Sequence, residues 1–363
     1  MKRHFLSPLL LVILLGSMSA GFRPASPPDQ LLYPVNMTLA EGRLYVSDEY
    51  TGVHVFDVSD LSAPRRVMRI PLQGNRGTAV KDDIVFAGEY GALHAIRITG
   101  ETYSIVATIG EKYKDYGVID QGMPPDGGFA CACTSGEQAY APMSSGGYSS
   151  YATFALAGDH LYRIDEGRLL VYDVSVPEQP KEVARPRVGW DIETIHPAAN
   201  LLFLGGRRGM YIFDRTDPLA PLQVGQVEHA RACDPVVVSG STAYVTLRGG
   251  SQCGAAPDEL LCVNIEEPWD PRVVAVKPLA TPWGLVVREP HLFVSNGESG
   301  YSLLDVSRPE APSPTAVWTD WATRDFIWSG DTLFVLGTRD LRIFDVRDPS
   351  HPVLLSRIEA ATS

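Results

Sequence analysis

Leu44-Tyr-Val-Ser-Asp48, followed by Gly52-Val-His-Val-Phe-Asp57-Val-Ser-Asp-Leu-Ser-Ala-Pro64, decides the fold of this chain, because the same sentence returns along it. Leu169-Leu-Val-Tyr-Asp173, Met210-Tyr-Ile-Phe-Asp214, Leu260-Leu-Cys-Val-Asn264, Tyr301-Ser-Leu-Leu-Asp305 and Leu341-Arg-Ile-Phe-Asp345 are further copies, each trailed by a proline four residues on and another three residues later. Leu93-His-Ala-Ile-Arg97 is a worn copy without the prolines. The anchors 57, 97, 173, 214, 264, 305 and 345 are separated by 40, 76, 41, 50, 41 and 40 residues. A period near 40 made of short apolar runs and glycine-rich turns, with no helical stripe, is the pattern of a β-propeller blade.

The last unit shows the expected layout. Phe326-Ile-Trp, Leu333-Phe-Val-Leu, Leu341-Arg-Ile-Phe and Val353-Leu-Leu are four strands separated by polar turns. The runs are continuously apolar because stacked blades bury both faces of their inner strands. The expectation is an all-β, seven-bladed β-propeller of four-stranded antiparallel blades, with Val35-Asn-Met and Val353-Leu-Leu completing neighbouring or shared blades. An eighth, degraded unit in the 76-residue interval is the alternative, but Asp120 to Gly136 and Met143 to Tyr148 read as a Gly- and Pro-rich excursion into the third unit. The repeated Asp has a local reason: its carboxylate accepts backbone N–H groups just downstream and closes an Asx-type turn. The second proline starts the outer strand, where no ladder donor is needed. Asn264 can make the same turn, and Arg97 cannot.

Counting back from each second strand puts Asn36, Gly77, Thr153, Asp191, Asp234, Gly284 and Asp325 at one height on the innermost strands. The candidate site is therefore the mouth of the axial channel, with Trp190, Asp191, Glu193, Arg231, Asp234, Trp283 and Asp325 as its residues. Three convergent acids, Asp191, Asp234 and Asp325, would suit a hard cation such as Ca²⁺. The alternative is that each Asp caps its own strand. No nucleophile elbow, HExxH or phosphate-binding glycine loop is present, and no catalytic residue is assigned. His54 and His94 fall at matching places in two units, which reads as blade packing. Asn36-Met-Thr38 matches an N-glycosylation triplet.

Met1-Lys2-Arg3-His4, the apolar run from Phe5 to Leu15, and the small residues through Gly21 read as an export signal over residues 1–21. A short polar linker, 22–30, then leads into a single propeller domain over 31–358, with insertions at about 120–150 and 248–260. No transmembrane span is expected in the mature chain. Five cysteines follow the signal. Cys253 and Cys262 flank one excursion and are the best candidates for a disulfide at its base, while one of Cys131 and Cys133 can reach Cys233. With 31 basic and 43 acidic residues the net charge is −12, which argues against nucleic acid as a partner.

The pairing of Leu44-Tyr-Val-Ser-Asp48 with Gly52-Val-His-Val-Phe-Asp57-Val-Ser closely resembles the LVIVD repeat of bacterial exported β-propellers. Val188 to Ile195, Arg231 to Val238, Ala243 to Arg248 and the loop from Gly250 to Leu260 are similar to the secreted or lipid-anchored branch of that family. The resemblance covers Leu44 to about Pro352 and implies a propeller in the periplasm or outside the cell, without implying a reaction. No lipid-acceptor Cys follows the signal, and Arg97 and Asn264 replace the repeat's usual Asp. Two functional classes remain. One is a non-enzymatic binding or scaffold propeller that holds a protein or small ligand at its inserted loops. The other is a metal-assisted hydrolase or lyase with its site at the channel mouth.

Overall fold

In the computed structural model the described residues are 30–110, 147, 148, 150–165, 168–186, 188, 192–229, 235–250 and 257–360. The expected export signal, Cys131, Cys133, Cys233 and Cys253 lie outside them. Among the described residues seven antiparallel blades of four strands follow one another along the chain, the sheet of blade 1 carrying a short fifth strand as well. Blade 1 consists of Pro34–Ala40, Arg43–Asp48, Gly52–Asp57 and Arg65–Ile70, from the axis outward. Blades 2 to 7 span 78–109, 154–184, 192–228, 236–278, 285–318 and 323–359. The 76-residue interval holds no eighth blade among the described residues, and the excursion falls between blades 2 and 3.

Among the described residues seven hydrophobic cores form, and each lies between two neighbouring blades. This explains the continuous apolar runs. The second strand of blade 4, Leu201–Gly206, is buried along its whole length, while the outer strand of blade 2, Thr102–Ile109, is mostly exposed. The ring closes by the same packing. Met37, Leu44 and Val46 of blade 1 meet Phe334, Leu336 and Leu341 of blade 7. Of the two expected arrangements, neighbouring and shared blades, the first is found: each terminal strand pairs within its own sheet, and the two sheets are neighbours. Closure rests on side-chain burial, worth about 1.5–3 kcal/mol for each large apolar residue, together with bonds such as Ser356 Oγ to the Leu61 carbonyl at 2.6 Å.

The anchor residues form the turns their chemistry demands. The side-chain oxygens of Asp57, Asp173, Asp214, Asn264, Asp305 and Asp345 each accept the N–H two residues on, at 2.7–3.0 Å. The next residue in each blade, from Val58 to Val346, donates its N–H to the turn joining that blade's first two strands, at 2.8–2.9 Å. Arg97 pairs with Asp83 and Glu178 instead. Holding the carboxylate of Asp57 with the backbone and hydroxyl of Ser59 lowers its pKa.

The expected Cys253–Cys262 staple is not formed. Cys262 is a free thiol, and no disulfide occurs among the described residues. It lies inside the strand Glu259–Asn264 and packs into the core between blades 5 and 6 with Leu285 and Leu292. Burial pushes its pKa up to about 12.

Candidate functional site

One face of the ring carries the Asx turns; the opposite face carries the turns between second and third strands and the links between blades. The channel opens on this second face into a cavity of about 960 Å³. Glu49, Tyr90, Asp165, Arg207 and Arg248 reach it from or beside the second-to-third-strand turns, and Arg76, Glu193, Trp283, Arg324 and Asp325 from the entries to the inner strands. The anchor aspartates are therefore at the wrong end to act there.

The inner-strand positions do meet around the axis where they are described. A Cβ placed on Gly77 would lie 2.8 Å from Thr153 Oγ1 and 3.8 Å from Asn36 Oδ1, and one on Gly284 would lie 2.2 Å from Asp325 Oδ1. Asn36 is buried and donates to the Tyr151 carbonyl at 3.1 Å, so it cannot serve as a glycan acceptor. Glu193, Trp283 and Asp325 all line the cavity. Trp190, Asp191, Arg231 and Asp234 lie outside the described residues.

Asp325 does not present an open carboxylate. Its oxygens accept Ser150 Oγ–H at 2.7 Å, the N–H groups of Ser150 and Tyr151 at 3.2 and 3.0 Å, and its neighbour Phe326 N–H at 2.9 Å. These donors come from a segment that crosses the mouth. Gly147–Tyr148 adds a short fifth strand to the axial edge of blade 1, and the chain then passes Asp325 before entering blade 3. No group of three or more His, Cys, Asp or Glu side chains suited to a metal occurs among the described residues.

Six arginines line the cavity, Arg76, Arg163, Arg207, Arg208, Arg248 and Arg324, against four carboxylates. Three are neutralised: Arg76 by Glu49 at 3.1 Å, Arg163 by Asp165 at 3.2 Å and Arg207 by Glu193 at 2.7 Å. Arg248 and Arg324 rest on aromatic faces. The Arg248 guanidinium carbon is 3.7 Å from the centre of the Trp283 ring, and that of Arg324 is 4.4 Å from the centre of Tyr33 and 5.8 Å from that of Trp283. Tyr33 is held by its own N–H, which donates to the buried Asp48 at 2.6 Å. Tyr151 lies against Trp283 with ring centres 6.2 Å apart. Among the described residues the Nε of Arg248 and the Nε of Arg324 are buried without a hydrogen-bond partner, and the Tyr151 hydroxyl is buried close to Arg248. Each such donor costs about 1–3 kcal/mol if left unmet. Burial also raises the pKa of Tyr151, so it stays a neutral hydroxyl.

Sequence reasoning selected acids and missed these arginines. A signal existed: Glu49, Arg207 and Arg248 all stand just after the second strand of their blades. The histidines behave as packing groups. His54 is buried against Thr51 at 2.7 Å, and His94 bonds Thr108 and Glu89.

The LVIVD repeat matches residues 36–70 and 322–359, which are nearly the whole of blade 1 and all of blade 7. None of the curated proteins compared matches the chain in sequence. Among solved structures, a protein from Lactobacillus plantarum superposes with a TM-score of 0.62 at 12% identity, over 90% of this chain and 97% of that one. The periplasmic gluconolactonase PpgL of Pseudomonas aeruginosa gives 0.62 at 13% identity, over 90% and 96%. BamB from Moraxella catarrhalis gives 0.52 at 10%, over 82% and 77%. At these identities the likeness speaks for the propeller alone. No helix among the described residues is long and apolar enough to cross a membrane.

Proposed function

We propose that this chain is a non-enzymatic binding propeller, exported to the periplasm or cell exterior, that takes its ligand at the channel mouth. The carrying observation is Trp283 overlaid by Arg248 and Arg324 inside the cavity, with buried Nε donors that no group among the described residues meets. Rings that hold guanidinium groups in place before a ligand arrives lower the entropy cost of binding. Arg248 and Tyr151, both lining this mouth, stand in sequence at the start of one expected insertion and just after the end of the other, which supports the mouth as the place of contact. Export is supported by the basic and then apolar start of the sequence.

One structural neighbour is described as a periplasmic gluconolactonase, which makes lactone hydrolysis the reaction to assay beside binding. The test is native mass spectrometry of the protein after incubation with small molecules extracted from an envelope fraction. A retained mass that disappears in Trp283→Ala is the expected result. Retention unchanged by that substitution, or consumption of a lactone by catalytic amounts of protein, overturns the proposal.

A further inference from the structure

Resting on that reading, we infer that the ligand is a small organic oxyanion, a carboxylate or a phosphate monoester, received by Arg248 and Arg324. The chain has acidic residues in excess, yet these two guanidiniums have aromatic rings beneath them and no ion pair among the described residues. Arg324 spends one Nη donor on the Pro34 carbonyl at 3.2 Å, and the Nε donors of both residues are unmet. Stacking covers a guanidinium's face and leaves its edge donors to pair with the oxygens of a carboxylate or phosphate; with both Nε atoms buried, those donors are the Nη groups, of which Arg324 already spends one. Both guanidiniums lie near the one indole, 3.7 and 5.8 Å from its centre, so one small molecule in the cavity can be reached by both charges. The carboxylate nearest this pair in sequence, Asp325, is already bound by Ser150 and Tyr151 and does not neutralise them. A cavity of about 960 Å³ admits the rest of a metabolite-sized molecule.

The experiment is calorimetric titration of the full mature chain at low ionic strength with citrate, glucose 6-phosphate and glucose. Saturable binding of citrate or glucose 6-phosphate is expected, the responding arm identifying the oxyanion, with no heat from glucose. Affinity should fall at least tenfold in Arg248→Gln and in Arg324→Gln, and should be unchanged in Arg65→Gln on the outer surface. Arg248→Lys, which keeps the charge and loses the planar fork, should fall between wild type and Arg248→Gln. This gives a reading even where a glutamine variant folds poorly. Silence from both anions, or unaltered affinity in the arginine variants, overturns the inference. Glucose binding as tightly as glucose 6-phosphate overturns it too, while leaving the mouth as a ligand site.

Discussion

Ser150 donates its hydroxyl to Asp325 at 2.7 Å across 175 residues of sequence, and that bond fastens the strand crossing the channel mouth to the last blade. The same Ser150 oxygen accepts the Leu285 N–H at 3.0 Å, so three parts of the ring meet at one hydroxyl. Asp325→Ala leaves these donors buried and unmet. The expected loss is about 3 kcal/mol, read by urea denaturation, with Ser150→Ala costing about 1 kcal/mol and the double variant less than the sum. Tyr151, bound to the same carboxylate, should loosen from Trp283, and a shift in tryptophan emission checks this.

Gly284 lies against that carboxylate. A Cβ there would sit 2.2 Å from Asp325 Oδ1 and 2.6 Å from the Arg324 carbonyl. Gly284→Ala is therefore expected to displace both residues and to cost about 2–4 kcal/mol. A stability within about 0.5 kcal/mol of wild type, the level of a neutral surface change, would show that the mouth is less tightly built.

The Asx turns give a graded series. Asp57→Ala and Asp214→Ala each lose a backbone and a hydroxyl donor bond. Each should lower the urea midpoint slightly, and Asp→Asn at either position should lower it less, as Asn264 already shows by making the turn. Ligand binding should not change, because these turns lie on the face opposite the cavity. Calorimetry on the same variants checks it.

His196 sits between blades 4 and 5, where its Nε2 faces the Val238 N–H at 3.4 Å, and desolvation lowers its pKa from 6.5 to about 4. The unfolded chain thus takes up a proton first as the solution is acidified. The contribution is complete above pH 6.5 and is progressively lost as pH falls toward 4. In urea titrations at pH 7 and pH 4.5, His196→Asn should show a pH dependence smaller by about 2 kcal/mol than wild type.

Cys262 is fully buried in an interblade core and stays a thiol at neutral pH. Native wild type and Cys262→Ala should therefore titrate with equal numbers of reactive thiols. In guanidinium, without reductant, wild type should show one more; one more in the variant instead would mean that Cys262 is disulfide-bonded, since its freed partner would then titrate.

The repeat was legible because each anchor makes contacts a few residues away. Asp57 to Ser59 needs only the local chain, and the period of about 40 is marked by six copies of one local solution and the worn copy at Arg97. Continuous runs such as Leu201 to Leu204 likewise announce burial on both faces. The alignment of inner strands even placed Gly77 beside Thr153 and Gly284 beside Asp325. Cys262 was misread because loop spacing says nothing about which face of a strand a side chain takes.

By itself the sequence determined the number of blades, their strands and their turns, because those depend on apolar pattern and short-range hydrogen bonds. Tertiary structure alone decided what the mouth presents. Asp325 spends its carboxylate on Ser150, and Arg324 spans 290 residues to the Pro34 carbonyl, so neither charge can be assigned before the ring has closed. A site at the axis gathers residues from every blade. Its electrostatics are a property of the closed ring and belong to no single repeat.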